Sequence, residues 1–327
     1  MATAENAKLQ YEAGQTAHAM GALTDSGDAT LFESAATLFS RKSGYAPDVR
    51  PNGLITGGAV IPAVGAGNNT VDVAALSVYL AGVKTAVGAA TDVAITRAVT
   101  TDTHAMTSIT VDSTGAVAAV AGVDGTAFSE TRGAAGGPPF IPVGSVEIAQ
   151  VRTTSNVAAP IDAAEIFQVV GSHRERYDYP LFEINYAEAS VQFKSALPKI
   201  HTGSLPKKVY ASYADPEFSD VSLASDFVPA ETTHSVSSKQ IYSGTLGSSS
   251  SSLGQGAFTA YLQDGIGDPL VTLKNEFLWF KFYPDRYKTP YLLTQGKLGI
   301  SRTFPAGDNI QAACTISAEA AAVEVNA

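Results

Sequence analysis

Apolar and polar residues alternate with period two along much of this chain, and the alternation is cleanest near its C-terminal end. In residues 310–319, Ile310, Ala312, Cys314, Ile316 and Ala318 fall on one side of an extended strand. Gln311, Ala313, Thr315, Ser317 and Glu319 fall on the other, so one face is small and apolar and the other mostly polar. Residues 298–304 and the turn residues Pro305-Ala306-Gly307-Asp308-Asn309 come just before, which predicts a closing hairpin. Residues 277–283 break the rule. Phe277, Trp279 and Tyr283 share one face, while Leu278, Phe280 and Phe282 share the other. A strand that is apolar on both faces is expected to be covered on both, by a second layer or by a neighbouring subunit.

Upstream the same period recurs in short pieces. Segments 59–61, 71–73, 78–80, 93–95, 109–111 and 117–120 read as strands separated by Gly, Asn and Asp clusters, with a hairpin turn at Asp112-Ser113-Thr114-Gly115. Residues 73–87 fit a helical face as well as a strand. Gly136-Gly137-Pro138-Pro139 interrupts any element, and a strand resumes over 140–151. At 161–166, Asp162 and Glu165 form a capping box and Ile161 staples onto Ile166, predicting one short helical turn. Strands are expected at 182–193 and 207–213, and a capped helix after Ser225-Asp226. Five serines, Ser248 to Ser252, predict a mobile exposed loop.

The first fifty residues are polar and punctuated by Gly, with Phe32 and Phe39 as aromatic anchors, and read as an extended arm. Composition shifts at 173–180, from Ala, Val and Thr to aromatics, Lys and Pro. The expected organisation is an arm over 1–50, a β-rich domain over 51–175 and a second β-rich domain over 176–327, hence a mainly β fold.

Hydrophobic residues make up 45% of the chain, but much of that is Ala and Val, so stability has to accumulate over many pairings. The net charge of −10 argues against wrapping the outside of nucleic acid, which needs clustered Lys and Arg. With one cysteine, Cys314, no intrachain disulfide framework is possible. The start of the chain lacks a basic region followed by an apolar one, and no apolar run reaches membrane-spanning length, which points to synthesis in a cytosol.

The chemistry that would make an enzyme is not assembled. His18, His104, His173, His201 and His234 are scattered without metal-ligand spacing. Gly65-Ala66-Gly67 and Gly265-Ile266-Gly267 lack the third glycine of a dinucleotide fingerprint, and Gly296-Lys297 lacks the rest of a phosphate loop. Asp264 and Asp268 offer too few carboxylates for calcium. The strip from His173 to Asp178 reads as solvated ion pairs. No catalytic, cofactor or metal residue is assigned.

The C-terminal half resembles the tube domain of major tail proteins from long-tailed, non-contractile bacteriophages. The resemblance is carried by the aromatic strand over 276–284, the strand over 292–304 with Gly296 and Gly299, and the turn Gly307-Asp308-Asn309 leading into 310–318. The first half, with GLITGGAVIPAVGAGNNTVDVAA and PPFIPVGSVEIAQVRT, is similar to virion proteins of transposable Pseudomonas siphophages. This resemblance implies a β-sandwich or barrel flanked by a short helix, assembled as trimeric or hexameric rings that stack into a DNA channel. The tube would sit in the virion after assembly in the host cytoplasm, with tape-measure, tail-terminator and distal tail proteins as partners. DNA would pass without specific binding, and neither a membrane nor a cofactor is involved. Interface residues are then expected at Phe32, Phe39, Phe277, Trp279, Phe280, Phe282 and Tyr283, and channel-facing ones at Gln311, Thr315 and Glu319. A head-decoration, baseplate or fibre protein would share this composition, as would a carbohydrate-binding β-sandwich with exposed aromatics on its loops.

Overall fold

A computed structural model describes residues 5–65, 67–168 and 181–326. The chain is nearly all β, with 53% of residues in strands and 2% in helix, so backbone hydrogen bonds are satisfied mainly between distant segments. Two compact units form. One comprises Met1–Ala17, Leu38–Ala46 and Ala214–Ala327; the other comprises His18–Thr37 and Pro47–Tyr213. This partition differs from the expected blocks 1–50, 51–175 and 176–327, and the composition change at 173–180 lies outside the described residues.

The first strand, β1 (Lys8–Ala22), begins in one unit and ends in the other. The described part of the expected arm over 1–50 is therefore not free. Lys8 to Tyr11 pair with Tyr283 to Phe280, and Leu9 and Tyr11 are core residues. The alternation of Leu9, Tyr11 and Ala13 with Lys8, Gln10 and Glu12 supplies a buried face, and burial holds the segment in place.

The unit containing Pro47–Tyr213 is a stack of small antiparallel sheets. Its central pair is β2 (Ala105–Val111) and β3 (Val146–Thr153). Ile109, Val111, Ile148 and Val151 on these strands join Leu54, Val71, Val73 and Val78 from the short hairpins to form one core. Residues 73–87 are strands, not a helix: Leu76–Leu80 pairs with Val83–Val87 across a turn where Ala81 and Gly82 take positive φ. Asp112 accepts backbone hydrogen bonds from Thr114 and Ala116 in the predicted hairpin turn, and Gly115 has φ +88°. The capping box at Asp162 and Glu165 forms as expected, over a single 3-10 turn, Ala163–Glu165. Residues 182–193 are two strands, Phe182–Asn185 and Ser190–Phe193, in a hairpin. Phe32 packs edge-on against Phe193, with ring centroids 5.5 Å apart, in a second, smaller core of this unit.

The other unit is built on one antiparallel sheet. The unit's strands include β4 (Ala224–Val228), β7 (Gly256–Tyr261), β8 (Phe277–Tyr283), β9 (Tyr291–Thr303) and β10 (Gln311–Ala318) in this sheet, and β5 (Thr232–Ile241) and β6 (Gly244–Leu253) in a separate two-stranded one. Within the unit the sheet order is β4-β7-β10-β9-β8-β1, and β5 pairs only with β6. The predicted closing hairpin is β9 with β10, in register from Gly296↔Ala318 to Thr303↔Gln311. Ala312, Cys314, Ile316 and Ala318 are buried, while Ala313, Thr315 and Ser317 are exposed. The core is filled from one face of this sheet and closed by Leu262, Leu270 and Leu273. Leu270 lies in, and Leu273 just after, a four-residue helix, α1 (Pro269–Thr272), which Asp268 caps by accepting from the Leu270 N–H at 3.0 Å. The helix expected after Ser225-Asp226 is instead strand β4, because Ser225 and Val228 pair with β7, with Asp226 at positive φ in the register shift between them.

Candidate assembly surface

The two-faced strand β8 finds both of its covers inside its own unit. Leu278 and Phe280 point into the core with Phe282 packed at its margin. On the opposite face Trp279 lies under residues 38–43, and its indole Nε1 donates to the Phe39 carbonyl at 2.8 Å. Phe39 is fully buried, and Arg41 sits over the Phe277 ring at 4.5 Å. Beneath this strap lies Glu12, with no solvent exposure. Its carboxylate accepts from the Trp279 backbone N–H at 3.1 Å, from Gln15 at 3.0 Å and from the Ser40 hydroxyl. Burial raises the Glu12 pKa, and these hydrogen bonds together with the nearby Lys42 charge oppose the rise.

Of the residues expected at an interface, Phe32, Phe39, Trp279 and Phe280 are each at most 4% exposed. They are interior packing, so the expectation that they contact another subunit is corrected. Phe277, Phe282 and Tyr283 are half-buried. Phe282 stacks on Phe227 at 4.4 Å, and Tyr283 lies against Tyr291 at 5.1 Å. Among the channel-facing candidates, Thr315 is exposed on β10 and Gln311 is half-buried at its start. Glu319 is exposed just past the strand and pairs with Arg41.

The serine-rich stretch is not a loop. β5 and β6 pair over their full lengths, from Thr232↔Leu253 to Ile241↔Gly244. The hydroxyls of Ser235 and Ser250 meet at 2.7 Å, as do those of Ser237 and Ser248; Thr233 and Ser252 meet at 3.0 Å. These ladders supply cross-strand pairing without burial, which is why composition alone suggested disorder. The register carries on from the sheet below. Val228↔Ala257, the Gly254 N–H on the Glu231 carbonyl, and Thr232↔Leu253 follow one another without a slip. One ribbon thus leaves the sheet at Val228 and Ala257, beyond a register shift between Ser225 and Val228, and continues as β5 and β6. Ten residues per strand extend about 33 Å beyond the sheet.

All of β5 is exposed, and so is β6 apart from Leu253. Both outer edges of the ribbon are unpaired among the described residues. Val236 and Leu246 stand out on it, and Tyr242 at the tip is fully exposed. Edges of this kind are ordinarily guarded by charge or proline. Residues 232–253 contain no Asp, Glu or Pro, and their one formal charge is Lys239.

At the base of the ribbon, in the same unit, an open cleft of about 880 Å³ is lined by Leu223, Phe227, Tyr261 and Phe282, with Asp226 and Arg286 among its polar residues. Sequence reasoning found neither ribbon nor cleft.

The histidines occupy separate places. His18 stacks on Tyr213 at 4.8 Å, His104 meets Phe128 edge-on at 4.8 Å, and His234 is on the ribbon. His201 is buried with Nδ1 at 3.1 Å from the Pro142 carbonyl, and His173 lies outside the described residues. Glu147 is held by Arg132 at 2.7 Å, with Ser108 and Gln150 on its other oxygen. A carboxylate so matched is a fixed anchor for the 132–139 loop and leaves no free base. Among the described residues, no group of three His, Cys, Asp or Glu could hold a metal ion. No described helix is long and apolar enough to cross a membrane.

Comparison with known protein families, with curated proteins and with solved structures finds no match.

Proposed function

We propose that this chain is a self-assembling structural subunit, and that its assembly is the tube of a long-tailed, non-contractile phage, through which DNA passes. The observation that carries the first part is the ribbon of β5 and β6. An isolated two-stranded ribbon is marginal in water, and this one is long, unguarded at both edges and tipped with apolar side chains. Such a ribbon gains stability by lying on another surface, and a second copy of the chain always supplies one. The second part rests on the resemblance of the C-terminal strands to tail-tube domains. The all-β architecture and the net charge of −10 agree with it, since an acidic wall repels phosphates.

The test is to replace residues 232–253 by a two-residue turn. Both units keep their cores in this variant, because no residue of the ribbon belongs to a core cluster. The full chain should form rings or tubes under the electron microscope at high concentration, while the shortened chain stays monomeric with an unchanged melting temperature. A full-length protein that remains monomeric at all concentrations sinks the proposal. Closed rings that never stack would favour a head-decoration or baseplate component over a tube.

A further inference from the structure

We propose that the ribbon tip, Ile241 and Tyr242, seats in the Phe227–Phe282 cleft of a second copy of the chain. This deepens the self-assembly reading and rests on it. The tip cannot reach its own cleft. The cleft lies beside β4, at the foot of the ribbon, and the register runs unbroken from Thr232 to Ile241, so the tip is held about 33 Å beyond the sheet. The occupant must therefore come from another molecule.

The chemistry of the two surfaces matches. The tip offers an aromatic ring, an isoleucine and, two residues earlier, the cation Lys239, which has no ion-pair partner among the described residues. The cleft offers the stacked rings of Phe227 and Phe282 with Tyr261 and Leu223 beside them. On the acidic side, Asp220 is matched by Lys8 at 3.5 Å. Asp226 accepts only from the neighbouring Ser225 hydroxyl, and Glu5 is exposed without a cation. Arg286 is turned toward the carbonyls of Asn6 and Ala7. Seating the tip would thus bury apolar surface on both partners and give Lys239 an anion.

Because donor and acceptor are different surfaces of one chain, the contact is heterologous. Each bound copy presents a free tip and a free cleft, so association continues until a ring closes or a filament grows. Tip-to-tip pairing would stop at two.

Cysteine cross-linking tests the pairing, with Cys314 as a silent background because it is buried. Tyr242→Cys combined with Leu223→Cys should give a ladder of covalent oligomers beyond the dimer under mild oxidation, and neither single variant should. Ser222→Cys serves as a second acceptor, in case the sulfurs at the first are badly aligned. Adding Lys239→Glu to the double variant should reduce the cross-linked fraction about tenfold, through repulsion from Asp226 and Glu5. A dimer from Tyr242→Cys alone would overturn the proposal. So would assemblies seen by electron microscopy without cross-links at either acceptor, which would leave self-assembly standing. With neither assemblies nor cross-links, both readings fall.

Discussion

Glu12 and Trp279 meet through a single hydrogen bond, from the backbone N–H of Trp279 to the Glu12 carboxylate at 3.1 Å, with both residues buried. Trp279 also donates its indole N–H to Phe39, so one residue holds the strap from above and the carboxylate from beside it. Glu12→Ala would leave the Trp279 N–H, the Ser40 hydroxyl and the Gln15 amide without their acceptor. A loss of roughly 2–4 kcal/mol is expected, read from the urea midpoint. Glu12→Gln should cost less, since it retains one carbonyl oxygen. Equal midpoints for wild type and Glu12→Ala would show that the strap is held without this carboxylate.

His201 sets an acid limit on stability. Burial pushes its pKa down to about 4 from 6.5; the nearby Lys208 and Arg132 charges add to the fall, and the Pro142 carbonyl opposes it. The folded state keeps the ring neutral while the unfolded state takes up a proton below about pH 6.5. Its contribution is therefore complete above that pH and declines as pH falls toward 4, by roughly 3 kcal/mol in all. Unfolding free energies of wild type and His201→Asn, measured from pH 7 to 4, should show a shallower slope in the variant. Parallel curves would remove His201 from this account.

Cys314 should be inert while the protein is folded. Burial, with a smaller push from the Asp268 charge, raises its pKa to about 12, so almost no thiolate exists at pH 8. A thiol reagent at that pH should label no cysteine in native protein and one per chain in denaturant. Fast labelling of the native form would contradict the burial of β10.

Gly136 carries two constraints at once. Its φ is +69°, and a Cβ there would collide with the Ala127 carbonyl oxygen. Gly136→Ala should destabilise its unit by more than about 2 kcal/mol, whereas Gly27→Ala, at positive φ but with open space around it, should cost about 1 kcal/mol. Thermal melts that rank the two in the opposite order would refute the steric argument.

What could be read from sequence was local. The closing hairpin, the Asp112 turn and the Asp162–Glu165 box each depend on residues within a few positions of one another. The β1 strand was also visible in principle, since Leu9 and Tyr11 alternate with Lys8 and Gln10, but the polar composition of the first fifty residues hid it. The cover over Trp279 comes from Phe39, 240 positions away, and no periodicity encodes that distance. The ribbon escaped for a different reason: serines paired across strands look, one strand at a time, like serines in a loop.

The unbroken register of the ribbon has a mechanical meaning. Its two strands are the same chains that run into the sheet as β4 and β7, and β7 is bonded along its length to β10. A pull on the tip along the ribbon axis would load those hydrogen bonds together, in shear, instead of peeling them one at a time. The projection is then rooted in the sheet through β7, and force applied at Tyr242 would be passed to β10, where Phe258 pairs with Cys314.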